Sequence, residues 1–173
     1  MNISKFNKAV NEILDHDFDI YFADETLDEQ VISSFGSEID CKFPEDFTVF
    51  TSSRLNGFLA EAKEDVWPRR KGGPYWIFQY GLMVYGLDAG LPEWINLRFE
   101  TQKFRERTES NLVPAMKTVS SADPYCFNRE GDLVIWNHET FEAGKTDKSF
   151  YEAFIEELKL LKSNKERAKK EFS

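Results

Sequence analysis

Apolar positions change their period several times along this chain, and each change predicts an element. Phe6, Val10, Ile13 and Leu14 recur every three or four residues across 4–15, the spacing of an amphipathic helix. Phe18, Ile20 and Phe22 then alternate, as in a short strand or an extended arm. Thr26-Leu27-Asp28-Glu29 has the form of a capping box and Gly36 suits a left-handed stop, which predicts a short helix over 27–35. Phe43-Pro44-Glu45-Asp46-Phe47 opens another. Proline suits a first turn where its missing N–H is no loss, and the two acids favour the positive end of the dipole. That helix turns Phe47 and Phe50 inward and ends before Asn56-Gly57, a turn signal.

Beyond Gly57 the pattern becomes β-like. Strands are predicted over 58–62, 75–80 and 82–87, with the Pro- and Gly-rich stretch 67–74 as a loop. Leu91-Pro92-Glu93-Trp94 reads as the opening of a helix to about Arg107, with Trp94, Ile95 and Phe99 inward. A strand over 112–119 follows, whose Pro114 marks an edge or a bulge.

The last third carries the clearest signals. Tyr125-Cys126-Phe127 and Leu133-Val134-Ile135-Trp136 flank a loop in which Gly131 can supply a positive φ, so they form a hairpin. After a polar link, Ser149 and Glu152 make a capping box. Phe150, Phe154, Leu158 and Leu161 then form one helical stripe. Past Leu161 the chain alternates Lys, Arg and Glu, which predicts a helix projecting into solvent and fraying. Helices, then strands, then a helix make an α+β fold with a helix laid across a sheet.

Composition narrows the picture. At 173 residues the chain is one domain, and sixteen phenylalanines supply a core rather than a disordered segment. A net charge of −9 disfavours nucleic acid and anionic membranes as partners, because both draw on surplus Lys and Arg, and it suits a basic one. No Lys or Arg occurs from Asn11 to Gln30, while Asp15, Asp17, Asp19, Asp24 and Asp28 do. Such a run is either a face for a basic partner or a solvated surface. Two cysteines, Cys41 and Cys126, and no leader or spanning segment predict a reducing, cytoplasmic setting.

Candidate chemistry is sparse. Two histidines shorten the search: His16 among acids, and His138 after the last strand of the hairpin. His138 with Glu139 reads either as a base with its orienter or as a strand-end cap, and no nucleophile motif accompanies it. Cys126 reads as a small buried apolar group, and Cys41 sits beside Lys42, which would lower its pKa. No His or Cys spacing fits zinc, no acidic spacing fits a calcium loop, and no glycine-rich loop fits a phosphate. No catalytic residue, cofactor or metal is therefore predicted. Arg69, Arg70 and Lys71 between Trp67 and Trp76 offer either stacking on single-stranded nucleic acid or a protein contact, and the overall charge favours the latter.

Taken in order, Phe43-Pro44-Glu45-Asp46-Phe47, Asn56-Gly57, Gly131-Asp132, His138-Glu139 and Ser149-Phe150 resemble the SUKH superfamily. This is the family of the fungal cell-wall-synthesis regulator and of many bacterial immunity proteins. The resemblance covers 27–161, with an N-terminal helix and acidic segment before it and a charged tail over 162–173. It implies an α+β domain with a curved, mainly antiparallel sheet flanked by helices. It also implies a protein that binds and neutralises a cognate toxin, often a nuclease, or else a regulatory scaffold; a monomer or weak dimer is expected. No catalytic residues carry over, and Pro44, Gly57, Gly131 and Asp132 carry over as architectural positions. The expected contacts are Asp15, Asp17, Asp19, Asp24 and Asp28, together with Trp67, Trp76 and Trp94.

Overall fold

The structure is a computed structural model that describes residues 2–69, 79–87, 90–119 and 121–172. Among them are five helices and seven strands: α1 (Ile3–Ile13), β1 (Phe18–Tyr21), α2 (Glu29–Glu38), α3 (Glu45–Thr51), β2 (Leu59–Ala62), β3 (Gly81–Val84), α4 (Leu97–Thr108), β4 (Val113–Lys117), β5 (Tyr125–Phe127), β6 (Leu133–Asn137), β7 (Glu142–Lys145) and α5 (Phe150–Phe172). The strands form one open, curved antiparallel sheet in sequence order, β1 to β7, so each strand pairs with its neighbours in the chain. The fold is α+β, as the order of patterns predicts.

Period two explains how the sheet holds helices on both faces. Along the β5–β6 hairpin, Tyr125, Phe127 and Leu133 face the main core, while Cys126, Val134 and Trp136 face Phe104 of α4. The continuous apolar run in β6 is the mark of a strand covered on both sides. On the main side, α1, α3 and α5 pack through phenylalanine rings. Phe50 lies 5.1 Å from both Phe6 and Phe154, and Phe47 lies 4.8 Å from Phe127 and 5.1 Å from Phe150. Each such buried ring contributes roughly 2–3 kcal/mol by burial, with edge-on geometry adding to it.

The α5 capping box forms as its residues predict: Ser149 N–H donates to Glu152 at 2.8 Å, and Glu152 N–H donates to Ser149 at 3.2 Å. Its stripe Phe150, Phe154, Leu158 and Leu161 is fully buried. The hairpin loop turns at Gly131, φ 92, where a Cβ would lie 2.1 Å from the Lys42 carbonyl oxygen. Asp132 closes the same loop by donating its N–H to Asn128 Oδ1 at 2.8 Å.

Several boundaries differ from the expectations. In α2 the cap is Asp28, which accepts from Gln30 N–H at 2.8 Å, rather than Thr26. The helix runs through Gly36, which is needed there for close approach: a Cβ would meet the Cys41 carbonyl oxygen at 2.7 Å. The reversal falls instead on Asp40, φ 56. α4 begins at Leu97 behind the Asn96 cap, not at Leu91, because Leu97, Thr101 and Phe104 are the residues that share its buried face. Trp94 precedes that helix and Phe99 falls off its buried stripe, so both are exposed rather than inward; Ile95 is buried as expected. β4 lies between β3 and β5, so its Pro114 marks the register shift of a bulge rather than an edge. The polar link before Ser149 contains β7, exposed along its length. Most of the strand predicted over 75–80 lies outside the described residues, and Gln79 and Tyr80 form a turn.

Candidate functional site

The acidic segment divides at β1. Asp15 and Asp17 lie in the turn between α1 and β1, where Asp15 Oδ1 accepts the Asp17 N–H at 3.0 Å. The far end of α5 packs there. Lys165 is fully buried, and its Nζ donates to Asp15 Oδ2 and Asp17 Oδ2 at 2.9 Å each and to Glu166, while lying 5.3 Å from the Phe18 ring centre. Lys169 Nζ donates to the same Asp17 oxygen at 2.9 Å. The end of α5 is therefore docked, with Asn164 and Ala168 also buried, and does not project into solvent.

Electrostatics follow from that arrangement. Hydrogen bonds from Lys169 and Lys165 lower the Asp17 carboxyl from 3.8 to about 2, against burial. Burial pulls the Lys165 ammonium down, but its bonds to Glu166, Asp15 and Asp17 outweigh burial and raise it. Asp15, His16 and Asp17 stand close enough together to converge on a metal ion. Two lysine ammonium groups already neutralise these carboxylates, which leaves the cluster a poor cation site.

From Asp19 onward the segment faces outward. Along β1, Phe18 is buried, Asp19 exposed, Ile20 half-buried and Tyr21 exposed, and among the described residues β1 is an edge strand paired only with β2. The connection to α2 is held at two points, Ala23 N–H on the Arg54 carbonyl at 3.1 Å and Leu27 N–H on the Ser52 carbonyl at 3.0 Å. Between and beyond these ties Asp24, Glu25, Asp28 and Glu29 stand in solvent. Apolar groups stand among them: Tyr21 is 53% exposed, Phe22 45% and Val31 44%. Exposed aromatics beside like charges on a sheet edge are a surface suited to a protein partner. The alternation Phe18, Ile20, Phe22 does not reveal this, because the strand ends at Tyr21 and Phe22 leaves its period.

The tryptophan candidates lie apart. Trp67 is half-buried, packed edge-on to Tyr80 at 5.1 Å, and its carbonyl accepts from Arg69 at 3.2 Å. Trp94 is 54% exposed ahead of α4. Among the described residues neither has a hydrogen bond or ring contact to the acidic segment. Trp76, with Arg70 and Lys71, lies outside the described residues.

Cys41 is buried, and burial raises its thiol to about 11 in spite of nearby Arg105; Lys42 does not activate it. Cys126 is raised by burial as well. His138 is oriented by Asp123 and not by Glu139: Asp123 Oδ1 accepts the His138 N–H at 2.9 Å and stands 2.6 Å from its Nδ1. Asp123 precedes β5, and nothing in the local sequence around His138 points to it. No helix among the described residues is long and apolar enough to cross a membrane. No family model matches the chain, and no curated protein matches it in sequence.

Proposed function

We propose that this chain is an immunity protein that binds a cognate bacterial toxin with a basic domain, such as a nuclease, one to one in the cytoplasm. It neutralises the toxin by covering its surface, without catalysis and without a cofactor. The observation that carries this reading is the outward stretch from Asp19 to Val31, running from the edge strand β1 into α2, where carboxylates and the side chains of Tyr21, Phe22 and Val31 are exposed. A toxin that binds phosphate presents cations, and opposite charge speeds encounter while apolar contacts hold the docked pair. The motif resemblance to the SUKH superfamily points the same way. Asp19, Asp24 and Asp28 are the charged contacts in this proposal. Asp15 and Asp17 support the edge from behind.

The test is capture of partners on the tagged protein from its native cells, identified by mass spectrometry. One dominant basic protein is expected at near-equal stoichiometry, toxic when expressed alone and silent when co-expressed. Recovery of assorted housekeeping proteins would replace this reading with a regulatory scaffold of the cell-wall-regulator type, using the same edge.

A further inference from the structure

On the sheet face away from the phenylalanine core, α4 does not close fully onto the strands. It leaves a cleft of about 470 Å³ lined by residues of α4, β4, β6 and the turn after β6. That volume falls within the range of small-molecule sites. One wall is aromatic. Trp136 meets Phe104 edge-on at 5.6 Å and Phe141 edge-on at 6.2 Å, so three rings flank the opening. Phe141 is 59% exposed and holds a left-handed backbone, φ 58, rare for an aromatic residue. Asn137 sets this turn: its carbonyl accepts the Phe141 N–H at 2.9 Å, and its Oδ1 accepts from Glu139 and Thr140. A large apolar ring is thus kept in solvent at the mouth of the cleft.

Polar groups converge on the same space. His138 lines it, and because Asp123 engages Nδ1, the imidazole has Nε2 left for a ligand. Arg107, exposed in the last turns of α4, lines the cleft together with Lys117 of β4. Deeper in, Glu100 shares a hydrogen bond with Tyr85. Burial raises the Glu100 carboxyl, while Arg107, Lys103 and Lys117 lower it. On a chain of net charge −9 this gathering of cations stands out.

We propose that this cleft binds a small planar aromatic carboxylate, its ring against Trp136 and Phe141 and its carboxylate on Arg107. Guanidinium pairs with carboxylate through two parallel N–H donors, and the rings contribute area and stacking. The site is independent of the acidic edge, since Asp19, Asp24 and Asp28 take no part in it.

The probe is 2-naphthoate, with neutral 2-naphthamide as its comparison, titrated into the full chain and followed by ¹⁵N NMR. Saturable binding in the roughly millimolar range or tighter is expected, with the largest shifts at the Trp136 indole and the His138 amide. The amide probe binds about tenfold more weakly. Arg107→Gln, an exposed position, removes that tenfold preference while leaving 2-naphthamide binding unchanged, and Phe141→Ser weakens both probes. Lack of saturation, shifts centred elsewhere, or an acid preference that survives Arg107→Gln would each overturn the proposal.

Discussion

Asp17 and Asp24 belong to one stretch of acidic chain and have opposite environments. Asp17 is buried and shares one oxygen between Lys165 and Lys169. Asp24 stands in solvent on the connection between β1 and α2. The residues are chemically identical, and their neighbours in sequence are equally acidic. What separates them is α5, whose far end reaches the α1–β1 turn and brings two ammonium groups to one side of the segment only. A charge run is therefore not a single kind of surface. One end of it closes the fold and the other stands in solvent.

The comparison is most easily broken by Asp17→Asn. Removing one carboxylate from a fully buried ammonium leaves charge without its compensation, and such losses cost about 3 kcal/mol. Lys165 keeps Asp15 and Glu166, which places the effect at the lower end of the range for broken buried pairs. Asp24→Asn should stay within about 0.5 kcal/mol of the parent. Urea unfolding of both variants measures the contrast. Equal midpoints would mean that the cluster does not anchor α5.

Acid titration sharpens the same contrast by a smaller amount. The Asp17 carboxyl is lowered from 3.8 to about 2 by Lys169 and Lys165, so the folded state holds that proton less readily than the unfolded chain. Its stabilisation is present above the unfolded value of 3.8 and is lost as pH falls through about 2. The loss should be about 2 kcal/mol. Unfolding midpoints followed downward from about pH 5 should fall in the parent and fall less in Asp17→Asn, with the two curves converging. Parallel curves would assign acid lability to other carboxylates.

Legibility followed the range of the interactions. The α5 start could be read because its cap and stripe are local: Ser149 meets Glu152, and Phe150 to Leu161 repeat at helical spacing. The docking of the tail could not, since Lys165 sits in a polar sequence and finds Asp17 148 residues away. β7 carries no apolar signal because all four residues are exposed, as an edge strand permits. Trp94 and Phe99 show the converse: apolar residues near helical spacing predict an inward face, while Leu97, Thr101 and Phe104 set the buried one. In the proposed docking surface, Asp19, Asp24 and Asp28 are visible in the sequence as charges. That Tyr21 and Phe22 stand among them is not, because it depends on where β1 ends.

The outward half of the segment is tested last, because its effect on the fold should be the smallest. Asp28 caps α2 through Gln30 N–H, so replacing it by Lys would confuse loss of charge with loss of a cap. Asparagine caps equally well, and the clean variant is Asp19→Lys, Asp24→Lys, Asp28→Asn. Its unfolding midpoint should match the parent to within about 0.5 kcal/mol, since all three side chains are solvated. Association with the captured basic partner should nevertheless slow by about tenfold or more at low salt, with the difference shrinking as ionic strength rises. Dissociation should change less, because Tyr21 and Phe22 are retained. An unchanged association rate would show that the outward carboxylates are solvation alone and that the partner approaches another face. A large fall in stability would show that the division at β1 has been drawn in the wrong place.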